Sequence, residues 1–446
     1  MNVRPIGVDL FSGAGGLSLG FEQAGIDVRA AVEIDPIHAA VHKFNFPNSA
    51  VIARSVVGLE AAHIRDAARL KPNEKVDIVF GGAPCQGFSM IGHRAFDDPR
   101  NKLVLEFVRL VAELGADYFV FENVKGLTVG RHKSFLDELV DAFHKIGYEI
   151  SLPWKVLDAA DFGVPQHRER LFLMGARKGL NLPCYPMPTA HPADSRKPSN
   201  LPVGPTAKDA IGDLPDADLF QPLSEGDKVQ IASYGDASAY AAEMRVLSED
   251  AWHFGVQREW NSAYLTSSWQ TDHSDISRRR FAATPPGRVE PISRFYKLSP
   301  VGLSNTLRAG TDGARGAFTS PRPIHYEHAR CVTVREMARL HGFPDWFRMH
   351  STKWHGARQI GNAVPPPLAR AVAASVLNAM GVNPERTSKI ISLGSEKLLY
   401  SNMTDAAGVF GVVAPVMRRD RKSGAKKRSQ AETEAERLQA TSSLGQ

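Results

Sequence analysis

The chain has 446 residues, 43% hydrophobic and 23% charged, which suits a folded protein of two or three domains whose core needs no disulfide or metal staple. Its three cysteines, Cys85, Cys184 and Cys331, are too few and odd in number for a secreted disulfide framework, and no apolar run approaches the roughly 20 residues that span a bilayer. The formal charge is +6, but the last 66 residues hold 11 Lys+Arg against 7 Asp+Glu, so basicity alone is a weak sign of a polyanionic partner.

Met1 to Pro5 lead directly into a short apolar run broken by Gly and Asp, unlike a signal peptide. A reducing cytoplasm is expected. Ile6 to Phe11 read as a buried strand followed by a glycine-rich turn, and Val28 to Ile34, Val76 to Phe80 and Tyr118 to Phe121 read as later strands. Leu103 to Leu114 and Phe135 to Ile146 carry helical apolar spacing between them. This alternation predicts an α/β domain over residues 1–180 with a parallel sheet covered on both faces. Ligands bind such sheets at the carboxyl ends of the strands.

From about residue 180 the texture changes. Pro183, Pro186, Pro188, Pro192, Pro198, Pro202 and Pro205 break any long element, and a smaller, loop-rich domain is expected over 181–345. Val334 to His341 and the Ala-rich Leu368 to Met380 read as helices, the second completing the first domain over 355–380. Residues 383–446 are polar, with basic clusters at 418–422 and 426–428, and are expected to form a disordered basic tail.

The first strand runs into Phe11-Ser12-Gly13-Ala14-Gly15-Gly16, where glycines let backbone approach a ligand at the N-terminus of a helix. Glu33 closes the second strand twenty residues after Gly13, the spacing at which a carboxylate grips ribose hydroxyls. Together they suggest a nucleoside cofactor without saying which. Cys85 leaves the next strand within Gly82-Ala83-Pro84-Cys85-Gln86, a position that suits a thiolate nucleophile. Glu122 follows a further strand on the same edge and is a candidate general acid. Arg168 and Arg170, two residues apart, lead into the strand Leu171 to Gly175 and are expected on one face of it. Arg278, Arg279 and Arg280 form a basic run in the loop-rich region, and Thr306 to Arg308 a short strand candidate.

These blocks, taken in order, resemble the bacterial DNA (cytosine-5)-methyltransferase family. The match includes the turn at 11–16, Glu33-Ile34-Asp35-Pro36, Pro84-Cys85-Gln86, Asp98 to Leu103, Glu122-Asn123-Val124 and Gln166-x-Arg168-x-Arg170. It continues with Arg330 to Glu336 and Gln359 to Pro365, so it spans most of the chain outside the tail. The resemblance implies a Rossmann-like large domain that binds S-adenosylmethionine and a target-recognition domain that reads double-stranded DNA. It implies cofactor contacts by Phe11, Gly13, Gly15, Glu33, Ile34, Pro84, Leu103 and Asn362, and no metal. It makes Cys85 the nucleophile, Glu122 the acid at N3 of the base, Arg170 a contact on the O2 side and Arg168 its brace. Gln86, Ser89, Arg278, Arg279, Arg280, Thr306 and Arg308 are the expected DNA contacts.

One residue departs from the family pattern: Ser55 stands where an acidic residue usually holds the adenine amino group. A dehydrogenase would explain the glycine turn and Glu33 but not Cys85, Glu122 or the arginine pair. A related tRNA enzyme would share the catalytic blocks, but the long segment from 181 favours DNA, and a catalytically silent relative would not keep Cys85, Glu122 and Arg170. The expected enzyme is a cytoplasmic monomer, either solitary or sharing its site with a restriction endonuclease that it does not bind.

Overall fold

Alternating side chains dictate two packed faces on one central sheet. In the computed structural model, which describes residues 4–83, 102–128, 133–311 and 319–414, the strands and helices of the first part are, in chain order, β1 (Ile6–Leu10), α1 (Gly16–Ala24), β2 (Asp27–Val32), α2 (Pro36–Asn45), β3 (Ala50–Ile52), α3 (Ala61–Ala67), β4 (Ile78–Gly81), α4 (Lys102–Leu114), β5 (Tyr118–Val124), α5 (Lys133–Lys145), β6 (Tyr148–Ile150), β7 (Lys155–Asp158) and β8 (Glu169–Arg177). Along β5, Phe119 and Phe121 face a core completed by Phe107 and Val111 of α4 and by Leu139 and Phe143 of α5. Tyr118 and Val120 face the opposite core, shared with Leu17 and Phe21 of α1. Burial on both faces explains why these strands read as continuous apolar runs.

The sheet order is β3-β2-β1-β4-β5-β8-β6, with β7 also paired to β8. Pairings among β1 to β5 are parallel, but β8 runs antiparallel to β5, β6 and β7. The expectation of an all-parallel sheet is therefore corrected on this side. Here β7 and β8 are joined by a short connection with no crossover helix, and such strands pair antiparallel. In the parallel part, Leu10 pairs with Val32 and Gly81, and Gly81 with Phe121. Four strand ends thus align along one edge.

The second part contributes shorter elements: α6 (Ala207–Ile211), β9 (Val229–Gln230), α7 (Ala239–Met244), β10 (Gln257–Glu259), β11 (Tyr264–Leu265), α8 (Asp275–Ala283), α9 (Val334–Leu340), α10 (Lys353–Asn362) and α11 (Pro366–Met380). Helix α11 returns to the large sheet, burying Leu368, Val372 and Val376 against the α1 side. Packing does not break at 345, the boundary expected from sequence. One cluster joins Leu19 and Phe46 to Ile211, Leu307, Met337, Phe347 and Ile360.

The Arg330 to Glu336 block is part of this packing. Glu336 accepts two hydrogen bonds from the buried Arg330 guanidinium, at 2.8 and 2.9 Å, and closes a capping box with Thr333 at the start of α9. Burial alone would raise the Glu336 carboxyl, but Arg330 overrides it and brings the group down to about 2. A depressed acid adds stability above its ordinary value of about 4.5, and that contribution is lost as pH falls through about 2. Glu336→Gln removes the nearest carboxylate from a buried guanidinium that keeps Asp216 at 3.1 Å, so at pH 7 it is expected to lower unfolding free energy by about 1–3 kcal/mol. Chemical denaturation checks this, and a loss below about 1 kcal/mol would contradict the role.

The tail expected from 383 is corrected over 383–414. There β12 (Ile390–Ser392) pairs with β10, and α12 (Lys397–Tyr400) and α13 (Met403–Val409) follow. Leu398, Leu399 and Ala406 are buried against Ile37, Ala40, Val41 and Phe44 of α2. Residues 390–414 are rich in Ile, Leu, Val, Phe and Ala despite the polar residues around them, enough to cover one helix face. The basic clusters at 418–428 lie outside the described residues.

Candidate active site

A cavity of about 500 Å³ lies along the aligned strand ends. Its first wall is the turn after β1, where Phe11 and Gly13 both have positive φ, 65° and 55°. A Cβ at Gly13 would meet nothing within 4 Å, so this backbone faces open space. Ser12 Oγ, buried on the same wall, has no hydrogen-bond partner among the described residues. Glu33, just past β2, accepts from the backbone N–H of Gly13 (2.8 Å) and of Asp35 (2.8 Å). Burial holds its carboxyl above the ordinary range. Ile34 beside it is 63% exposed. Asn362, at the end of α10, borders the same cavity.

The opposite wall carries the acid. Glu122 on β5 is buried, and Arg170 on β8 places Nε 2.9 Å from its Oε1. Burial raises the Glu122 carboxyl, partly opposed by Arg170 and Arg168. A Cβ at Gly82 would meet Glu122 Oε2, so glycine here leaves room for the carboxyl in its present position. Asn123 Nδ2 donates to the carbonyl of Ala83 at 3.1 Å. The acid's strand is thereby tied to Ala83, the residue just before Pro84 and Cys85 in the chain.

The two arginines divide the work. Arg170 borders the cavity. Arg168 precedes β8, is 1% exposed, and donates to the carbonyls of Leu307 (2.9 Å) and Gly361 (2.6 Å). It thus fastens the block carrying Asn362 to the acid's wall. Gln166 lies within hydrogen-bond distance of His341 Nδ1 (3.0 Å), and His341 Nε2 lies 3.1 Å from the carbonyl of Ala363. Sequence reasoning assigned no role to Ser12, Asn123, Gln166 or His341. Ser12, Asn123 and Gln166 carried a signal only as members of quoted motifs, and His341 carried none.

Other expected contacts are placed differently. Gly15 and Leu103 do not border this cavity: a Cβ on Gly15 would run into Phe46 and His42, and Leu103 packs against the core under α4. Ser55 Oγ accepts from the Val57 N–H at 3.1 Å. In α8, Arg278 pairs with Asp218 (2.8 Å) and Arg280 with Glu290 (3.3 Å), leaving Arg279 as the exposed member of the run. Thr306 donates to the carbonyl of His167 at 2.7 Å, and Arg308 is exposed. The segment bridges at Ser304 but forms no strand at Thr306 to Arg308. Pro84, Cys85, Gln86 and Ser89 lie outside the described residues. Among the described residues no group of His, Cys, Asp and Glu is placed to hold a metal, and no helix is long and apolar enough to cross a membrane.

His167 lies between Asp158 (2.7 Å) and Asp194 (3.1 Å). The hydrogen bond to Asp158 raises its pKa from 6.5 to about 9. A raised histidine stabilises the fold fully below pH 6.5, and the contribution disappears as pH rises through about 9. Because the pair is half-exposed, His167→Gln is expected to cost about 1 kcal/mol at pH 6 and nothing measurable at pH 10. Urea titrations at both values decide it; an equal difference at the two would remove the charge from the account.

The sheet and the glycine-bordered acidic cavity define the class: a Rossmann-like, S-adenosylmethionine-dependent methyltransferase. The chain belongs to the C-5 cytosine-specific DNA methylase family, whose sequence profile matches residues 7–378. It is 56% identical over 416 residues to the Type II methyltransferase M.XorII of Xanthomonas oryzae pv. oryzae, covering 93% of this chain and 95% of that protein. It is 34% identical over 374 residues to the Type II methyltransferase M1.HphI of Haemophilus parahaemolyticus, covering 83% and 86%. Among solved structures, a prophage-encoded E. coli protein assigned as a DNA modification methyltransferase shares 32% identity at a TM-score of 0.66, covering 85% of this chain and all of that one. A Schizosaccharomyces pombe Dnmt2 methyltransferase, 16% identical at a TM-score of 0.50, shares the fold.

The residues present fit the cofactor. Glu33 offers carboxylate oxygens toward ribose hydroxyls, Phe11 and Ile34 offer apolar faces to a purine, and Ser12 Oγ is an unused polar atom in the wall.

Proposed function

We propose that this enzyme methylates C5 of one cytosine within a specific double-stranded DNA sequence, through a covalent bond between Cys85 and C6 of a flipped-out base. The observation that carries the reading is the Glu122–Arg170 pair, held at 2.9 Å in the same cavity as the Glu33 cradle and beside the strand that leads to Cys85. C5 of cytosine is too weak a nucleophile to take a methyl group unaided. Addition of the Cys85 thiolate to C6 shifts an electron pair toward N3 and makes C5 nucleophilic. Glu122, protonated, donates to N3 as charge develops there, while Arg170 faces the O2 side. S-adenosylmethionine supplies the methyl group. A base, with water as the candidate, then removes the C5 proton, and the returning electron pair expels the Cys85 thiolate. Extruding the base costs a few kcal/mol; Arg168 keeps the Asn362 block registered against the acid throughout.

Residues 1–180 with 355–380 form the catalytic unit in this reading, and 181–345 supply DNA recognition, with Gln86, Ser89, Arg279, Thr306 and Arg308 as contacts. The likeness to M.XorII supports a modification role within a Type II restriction–modification system. The endonuclease would share the sequence without binding this chain, which acts as a monomer in the cytoplasm, where the DNA is. Methylation mapping of DNA from cells expressing the chain tests the reading, alongside transfer of labelled methyl groups to duplex DNA and to tRNA. The expected product is 5-methylcytosine at one DNA sequence. Label confined to tRNA, or methylation at another base atom, would overturn it.

A further inference from the structure

The C-terminal extension ends beside the cofactor cavity. Its helices α12 and α13 are buried against α2 and against Ala14 of the glycine turn, and the Gly394 N–H donates to the carbonyl of Phe44 at 2.8 Å. The extension therefore braces the two elements that border Glu33. Beyond α13 the chain reaches an apolar notch of about 370 Å³, lined by Ile34, Ser55, Val57, Val412 and Val413 among others. Ile34 also lines the main cavity, so notch and cavity lie on either side of one side chain that is 63% exposed. Val413 is 91% exposed: an apolar side chain carried to the rim by a segment anchored through the buried Leu398, Leu399, Ala406 and Ala407. Ser55 Oγ already accepts a backbone hydrogen bond, so what the notch mainly offers a ligand is apolar contact.

We propose that residues 390–413 are a built-in part of the cofactor site, and that Val412 and Val413 close over the purine end of S-adenosylmethionine. This rests on the cofactor cavity identified above. It gives the extension a binding role that the catalytic blocks do not require. Covering part of a purine edge with two valines is worth about five- to tenfold in affinity.

The test compares four proteins: the full chain, a truncation after Ala414, a truncation after Gly411, and Val413→Asp, whose exposed position keeps folding intact. Calorimetry measures the Kd of S-adenosylmethionine and of 5′-methylthioadenosine, which has the purine and ribose without the amino acid, and thermal melts report folding. Truncation after Ala414 is expected to leave both affinities within about twofold. Truncation after Gly411 and Val413→Asp should weaken both ligands about five- to tenfold at an unchanged melting temperature. Unchanged affinity in Val413→Asp overturns the proposal, as does a loss confined to S-adenosylmethionine or one already complete in the Ala414 truncation. Failure of the full chain to bind either ligand would instead overturn the cofactor reading.

Discussion

Cys85→Ala is expected to reduce methyl transfer to DNA to background while leaving the fold and cofactor binding intact. In the proposed mechanism the sulfur supplies the step that makes C5 nucleophilic, so its removal leaves no residual pathway of comparable rate. The change is a small one, from thiol to methyl. Melting temperature and S-adenosylmethionine affinity should both match the wild type. Single-turnover assays with saturating DNA check the chemistry, and a rate within about tenfold of wild type would remove Cys85 from the mechanism.

Glu122→Gln is expected to slow the same single-turnover rate by about 10²–10⁴-fold, the usual worth of a positioned acid. The role needs a proton on Glu122 near neutrality, and the structure favours that direction: burial raises the carboxyl against the pull of Arg170 and Arg168. Glutamine keeps the shape and a donor but transfers no proton. Binding of DNA and cofactor should change far less, because the interaction strengthens in the transition state. The pH profile carries the sign. Wild-type rate should fall as pH rises through the Glu122 pKa, and the glutamine variant should lose that limb. A rate within about twofold of wild type would contradict the assignment.

The parallel half of the sheet was legible because each of its strands is apolar on both faces and each helix repeats its apolar positions at helical spacing. Phe11 and Glu33 follow such strands directly and Glu122 lies near the end of one, which is why all three border the cavity along the strand ends. The antiparallel half was not legible, since a buried β8 looks the same in sequence whichever way it runs. Arg278 and Arg280 read as DNA contacts from their position in a basic run, and their pairing with Asp218 and Glu290 follows only from tertiary folding. Arg330 to Glu336 stood out as a motif, and its structural content is a buried ion pair and a helix cap. The extension after 383 read as a tail because the polar, basic stretch near the C-terminus dominated its composition, yet the apolar residues of 390–414 are enough to cover α2 and Ala14. His341 carried no signal at all, because its role depends on Gln166 and Ala363 meeting across the fold.

The central claim is tested most directly with duplex DNA in which 5-fluorocytosine replaces the target cytosine, its position taken from the methylation map. After methyl transfer the fluorine leaves no C5 proton to remove, so elimination of the thiolate is blocked. The account predicts a denaturation-resistant protein–DNA complex that requires S-adenosylmethionine, with the nucleotide attached to the peptide containing Cys85. Full methylation of normal DNA without any such complex, or attachment at another residue, would contradict it.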